Sequence, residues 1–298
     1  MNDTKLRSRA LLALATCLAA CAAGPQVQRE APPLPVTTLR VEVRLTQHQI
    51  EVSRTNSTVG AAAGVQMAGS PQVAAGGFAA GAAAGLIGSL IDVAIDAHRG
   101  SVAEHAAAPM REHAREVGID ALIATAVDGL DRHRFAETVD VVHVDRSEAD
   151  DEKQGRFEPG TNVLVLVPSY AVNYDGDTFT YMLDARLVDR TRGKRGRVET
   201  KTRYHETFSY VVTASELGTP FAELTAERWS ALFKAAAAET VEMLGYDVSA
   251  RPSDAQPRRS YRALPVVLDQ ERGERSWVRS HAALLSVSSA SLDAPRKS

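Results

Sequence analysis

The chain has 298 residues, of which 44% are hydrophobic and 24% charged, with a formal net charge of −3. These proportions exclude wholesale disorder, a collagen-like repeat and a polytopic membrane protein, and so neutral a balance argues against nucleic acid as a partner. Aromatic residues make up only 5% of the chain, so the core must lean on Val, Leu, Ile and Ala.

The first element is a leader. Lys5, Arg7 and Arg9 form a positive start, and Leu11, Leu12, Leu14 and Leu18 sit among alanines in an apolar run from Ala10 to Ala20. That run is too short to span a bilayer, which takes about 20 residues, and it fits the apolar region of a secretory signal. It ends in Leu18-Ala19-Ala20-Cys21. With these residues the N-terminus resembles the lipobox of bacterial lipoprotein precursors. The resemblance implies cleavage after Ala20, with Leu18, Ala19 and Ala20 read by the signal peptidase, and acylation of Cys21. It also implies a membrane partner through the lipid, because several acyl chains on one residue anchor firmly where one binds marginally. Ala22, in place of the aspartate that favours inner-membrane retention in the enteric version of the class, implies an outer-membrane protein facing the periplasm. Leu14-Ala15-Thr16-Cys17 is a poorer second match, and an ordinary cut after Ala20 or Ala23 would leave Cys21 incidental. Cys17 and Cys21 are the only cysteines. Cleavage before Cys21 therefore leaves no internal disulfide and no catalytic thiol.

Residues 22–35 read AAGPQVQREAPPLP, a proline-punctuated tether between lipid and domain. Leu39, Val41, Val43 and Leu45 then alternate with Arg40, Glu42 and Arg44, the period of a strand with one buried face. A short strand at Gln49–Ser53 pairs with this strand or continues it. From Thr55 through Ile91 no side chain is charged, and alanine and glycine supply 21 of the 39 residues from Gly60 to His98. Gly77, Gly81 and Gly85 fall every fourth residue, which lines them on one helical face and permits close helix packing. Ser70-Pro71 divides the segment. Three readings fit it: a tightly packed helical hairpin within or between subunits, insertion into a membrane, and a low-complexity loop. The segment is similar to the glycine-zipper stretches of some bacterial envelope lipoproteins, which implies self-association or an envelope protein partner.

Ser101 and Glu104 have the spacing of a capping box, and the helix they open is predicted to reach Leu130 with a kink or break at Pro109. Val139, Val141 and His143 alternate with Asp140, Val142 and Val144 as a strand, and the charged stretch Glu148–Lys153 reads as a loop. Val163–Val167 is a continuous apolar run suited to a strand buried on both faces. Asp175-Gly176 signals a hairpin turn. Phe179–Leu187 and Val198–Tyr210 alternate as strands, and a helix spans Pro220 to Leu244 with Gly245 as its C-cap. Residues 250–262 read as a linker before short strands at Leu264–Asp269, Ser276–Arg279 and Leu284–Val287.

The expected fold is α+β, a mostly antiparallel sheet packed by helices rather than a βαβ repeat, with the Ala/Gly-rich hairpin at 60–98 and a small C-terminal β appendage. The expected organisation is a signal peptide at 1–20, lipidated Cys21 and tether at 21–35, an α+β domain at 36–249, and linker with β tail at 250–298. The general pattern is similar to small periplasmic lipoprotein domains of envelope assembly and secretion systems.

No G-x-S-x-G, H-E-x-x-H or G-x-x-x-x-G-K motif occurs, so no catalytic residues, metal or cofactor are expected. Glu112, His113 and Glu116 share a helix as the best metal candidate, read as a solvated polar face. His205 and Glu206 point to opposite faces of a strand and cannot act together. Asp175 and Asp177 flank Gly176 in a turn that lacks the oxygen series of a calcium loop. Arg190, Arg192, Lys194, Arg195 and Arg197 crowd one stretch as a candidate contact for anionic lipid or another anionic envelope component, set against a merely solvated hairpin tip. The expected function is a non-enzymatic, membrane-anchored envelope lipoprotein with a structural or assembly role. The alternative is an accessory binding subunit of a transport or secretion system.

Overall fold

In the computed structural model the described residues are 35–47, 49–53, 107–130, 134–173, 175–193, 198–249, 258–262, 264–280 and 283–293. The leader, most of the tether and the whole Ala/Gly-rich segment lie outside them, as does the Ser101–Glu104 capping box.

The alternating segments form strands where their periodicity places them. β1 is Val36–Arg44, β2 Glu51–Ser53, β3 Ala136–Val144, β4 Gly160–Asn173, β5 Thr178–Arg192 and β6 Val198–Thr213. Four more follow: β7 Arg258–Tyr261, β8 Leu264–Arg272, β9 Arg275–Arg279 and β10 Leu284–Ser288. All belong to one ten-stranded sheet in the order β3-β1-β4-β5-β6-β10-β9-β8-β7, with β2 beside β4.

The sheet is mixed, which corrects the mostly antiparallel expectation. β4, β5 and β6 form a long antiparallel meander. β1, however, runs parallel to both β3 and β4, β2 runs parallel to β4, and β10 runs parallel to β6. The connection from β1 to its parallel neighbour β3 holds two helical pieces, α1 over residues 107–115 and α2 over Ile119–Asp128. A βαβ crossover therefore exists where none was expected. Parallel neighbours need such long crossovers, and alternation within a strand says nothing about its partners.

The helices differ from the sequence reading in detail. Pro109 lies within α1, and the break comes at 116–118 instead, where Gly118 leaves helical geometry (ψ 67°) before α2 begins. The stretch expected as a charged loop is the short helix α3, Glu148–Lys153, capped by Ser147, whose hydroxyl accepts from the Asp150 N–H. Among the described residues, Thr213 and Glu216 form a capping box at the four-residue α4, Ala214–Leu217, which ends at Gly218 with φ 65°. The last helix, α5, spans Ala226–Ser249 and runs through Gly245, which is not its C-cap.

α2 and α5 cover one face of the sheet, with α5 against β5, β6 and β10. The main core lies between. Its centre is aromatic: Phe233 meets Tyr170 edge-on at 4.9 Å and Phe179 at 5.3 Å, and Trp229 meets Phe179 at 5.7 Å between ring centroids. So few aromatics suffice because they are concentrated here. Val163–Leu166 is buried on both faces, as its unbroken apolar run predicts.

The C-terminal strands extend the same sheet through β10 beside β6. Val211 of β6 packs with Tyr261, Val266, Leu268 and Val278 in a second apolar cluster. Arg262 donates to Thr178 Oγ1 of β5 at 3.1 Å. Tyr261 and Arg262 at the end of β7 therefore lie toward the face of β5 and β6 that α5 does not cover, whereas Trp277 and Arg279 of β9 face α5.

Candidate functional site

The basic stretch does not form one surface. Arg190 is the last inward-facing residue of β5, with its side chain only 1% exposed. Its two terminal nitrogens donate to both carboxylate oxygens of Glu42 on β1, at 2.7 and 2.9 Å. The Phe157 ring lies 4.6 Å from its guanidinium carbon. Arg190 is thus a buried structural cation, which corrects its place in the candidate anionic contact. Arg192, two residues on, is exposed. Lys194, Arg195 and Arg197 lie outside the described residues.

Glu42 is the hub of a continuous ion-pair network on the sheet face away from α5. It also accepts from Arg44 Nη2 at 2.8 Å, and Arg44 Nη1 reaches Asp151 of α3 at 2.8 Å. Asp151 is further paired with Arg146. From Arg190 the chain of contacts runs to Glu148, then to Arg186 at 2.5 Å, then to Asp184, whose Oδ2 lies 2.6 Å from His205 Nε2. α3 is thereby clamped onto β1 and β5. Burial pushes the Glu42 carboxyl up, but the hydrogen bonds from Arg190 and Arg44 outweigh it and hold the group below its ordinary range. Asp151 follows the same pattern, with Arg146 and Arg44 outweighing burial.

Alternation on β1 predicts one buried face, that of Leu39, Val41 and Val43, and gives no sign that Glu42 and Arg44 on the other face are buried as well. Arg44 and Glu42 have side chains 3% and 4% exposed. One signal was present: acids and bases recur at period two on β1 and again at Asp184 and Arg186, with Arg190 four residues on, which places them on one face of two strands that flank β4.

A second buried cluster lies under the C-terminal end of α5. Arg279 of β9 donates to Glu206 Oε2 at 2.9 Å, Asp247 Oδ1 at 2.8 Å and Asp269 Oδ2 at 2.8 Å. The Tyr204 hydroxyl donates to Asp247 at 2.5 Å. His205 and Glu206 face opposite sides, as strand geometry requires, and join separate clusters. Asp247 escaped the sequence reading because the helix was expected to end at Leu244; once it runs on to Ser249, Asp247 continues the buried stripe of Ala236, Thr240 and Met243 at helical spacing. Further up the helix, Glu239 accepts from Trp277 Nε1 at 2.8 Å and Ser286 Oγ at 2.7 Å. α5 is therefore tied to the C-terminal strands by polar contacts along its length.

The remaining candidates are simple. Glu112 and His113 are exposed on α1 and Glu116 in the turn after it. No group of three or more His, Cys, Asp or Glu is placed to hold a metal among the described residues. Asp175, Gly176 and Asp177 form the β4–β5 turn: Gly176 takes φ 69°, and Asn173 Oδ1 accepts from the N–H groups of Asp177 and Thr178. Leu18, Ala19, Ala20, Cys21, Gly77, Gly81 and Gly85 lie outside the described residues. Among the described residues no helix is long and apolar enough to cross a membrane.

Two open cavities flank α2. One of about 460 Å³ lies between α1 and Tyr170, lined by Arg111, Arg115 and Asp120. The other, about 430 Å³, is a groove between α2 and α5 lined by Leu122, Ala126, Leu130, Ala238 and Val241. The chain matches no protein-family model, and no curated protein or solved structure matches it.

Proposed function

We propose that the protein is a lipid-anchored lipoprotein of the bacterial cell envelope, with a structural or assembly role and no catalytic activity. The observation that carries this reading is the leader, a short basic and apolar segment ending in Leu18-Ala19-Ala20-Cys21. The folded part supports it. In the larger ion-pair network the acids Glu42, Glu148, Asp151 and Asp184 each hold a guanidinium, so they act as ties between strands and α3. The tether of residues 22–35 meets the sheet at β1, a strand held on both sides. Such a body transmits a pull from its anchor to its whole sheet, which suits a scaffold. Its place is the periplasmic side of the outer membrane. Its partners are the membrane, through Cys21, and a second copy or another envelope protein, through the glycine-spaced segment.

The test is metabolic labelling of cells with an alkyne analogue of palmitate, comparing the wild-type chain with Cys21→Ser. The wild type takes label and fractionates with membranes, and the variant loses both. Label retained by the variant, or none in the wild type, removes the anchor and the reading with it.

A further inference from the structure

β3 forms one edge of the sheet, and its only neighbour among the described residues is β1. Leu45, just past β1, donates to the Val144 carbonyl at 2.9 Å, so the backbone groups of Val144 face β1. Backbone groups alternate sides along a strand, and the register is unbroken from Thr138 to Val144. The N–H and C=O groups of Thr138, Asp140 and Val142 therefore also bond inward, whereas those of Val139, Val141 and His143 point out beyond the sheet. The opposite parity at the start, where Val36 donates to Phe135 at 3.0 Å, precedes a gap in the register at Thr37.

The two edges of the sheet are treated differently. An unpaired edge is a template for another strand, and folded proteins blunt it by covering it, breaking it or charging it. The β7 edge is covered: the Ser260 carbonyl accepts from the Asp293 N–H at 2.7 Å, and the Ser260 N–H donates to Asp293 Oδ1 at 2.9 Å. Tyr261 beside it is bridged to Leu292. β3 has no such cover among the described residues. It carries no proline, lysine or arginine, and its Val139, Val141 and Val142 are half-buried.

We infer that β3 is an interface with a second copy of this chain, the two β3 strands pairing antiparallel across a twofold axis at Val141 and joining two sheets into one. With the β7 edge covered, β3 of one copy meets only β3 of another, which closes a dimer and prevents head-to-tail stacking into a filament. The axis follows from the backbone. Outward groups must meet outward groups, and centring on Val141 bonds all three outward residues: Val141 to its own copy, and Val139 to His143 in both directions. Centring on Val142 leaves Val139 without a partner in the strand. Centring on Asp140 sets that aspartate directly against its own copy, whereas the Val141 axis sets it against Val142. One strand a side is a small contact, so the dimer is reversible rather than obligate. It depends neither on the anchor nor on the glycine-spaced segment.

The test uses the full chain with Cys17→Ser and Cys21→Ser, in which an introduced thiol is the only one. Val141→Cys sets two thiols at the axis, on Cα atoms about 5.5 Å apart and so within disulfide reach. Mild oxidation is expected to turn this variant into a covalent dimer on a non-reducing gel. Thr138→Cys, whose copies stand about 20 Å apart in the same register, stays a single chain. Without an introduced thiol, the mass from sedimentation equilibrium is expected to rise toward two chains as concentration rises. Val141→Pro removes an outward N–H and no bond within the chain, so the dimer weakens roughly 30-fold, the effect of two lost backbone bonds. Val141→Lys, which opposes two like charges at the axis, weakens it as well, and Val141→Ile keeps it. No covalent dimer from Val141→Cys, or one formed as readily by Thr138→Cys, overturns the pairing. A dimer that Val141→Pro and Val141→Lys leave undiminished also overturns it, and assigns self-association to another surface such as the glycine-spaced segment.

Discussion

Arg190 and Arg192 stand two residues apart on one strand and do opposite work. A guanidinium buried as deeply as that of Arg190 is tolerable only with its charge and N–H groups satisfied, and Glu42 supplies both through a two-pronged contact. Arg190→Met leaves the Glu42 carboxylate buried with one guanidinium fewer, and the expected loss is about 3–5 kcal/mol of folding free energy, read by urea unfolding. Arg192→Ser, at an exposed site, leaves the unfolding midpoint where it is. Equal effects of the two substitutions would mean that Arg190 is not buried. Acidification acts on the same hub. Because the folded state holds the Glu42 carboxyl below its ordinary value of 4.5, its contribution is complete at neutral pH and fades as pH falls through the lowered value. Glu42→Gln is therefore less stable than the wild type at neutral pH, and the gap in melting temperature closes toward pH 3. A gap that holds constant over that range would contradict the pairing. Composition and spacing showed five cations crowded together between Arg190 and Arg197. They did not show that Arg190 is buried while Arg192, on the same face of β5, is exposed, because that depends on Glu42 of β1 lying within reach of Arg190 across β4.

At the scale of elements, periodicity was a good guide to what each segment is and a poor one to what it touches. The alternation in Phe179–Leu187 and Val198–Tyr210 gave β5 and β6, and the apolar run at Val163 gave β4. The pairing of β1 with β3, and of β10 with β6, joins segments distant in sequence and has no local signature. α3 was missed because its six residues are nearly all charged, and its fold rests on a serine cap and on two arginines from other elements. α5 was visible from its apolar stripe, but its last turn was not: the helix runs past Gly245 and brings Asp247 to Arg279. The helix layer depends on the aromatic centre where α5 meets β4 and β5. Phe233→Ala removes a ring packed edge-on against both Tyr170 and Phe179, and a cost of about 3–5 kcal/mol is expected. Thermal denaturation measures it, and a loss below 1 kcal/mol would place Phe233 outside the core.

The described residues form a single mixed sheet with α2 and α5 on one face and the larger ion-pair network with α3 on the other. Its first strand, β1, sits inside the sheet between β3 and β4, paired along its length with β3 and over Arg40–Val43 with β4. The proposed anchor rests only on a short pattern of residue types, since the enzymes that read such a leader respond to charge, apolar length and small side chains rather than to a fold. The most direct measurement is the intact mass and N-terminal sequence of the mature protein extracted from cell membranes. The account predicts a chain that begins at Cys21 and carries the added mass of acyl chains on that residue. A chain that begins elsewhere, or one that begins at Cys21 with an unmodified thiol and a free amine, would contradict it.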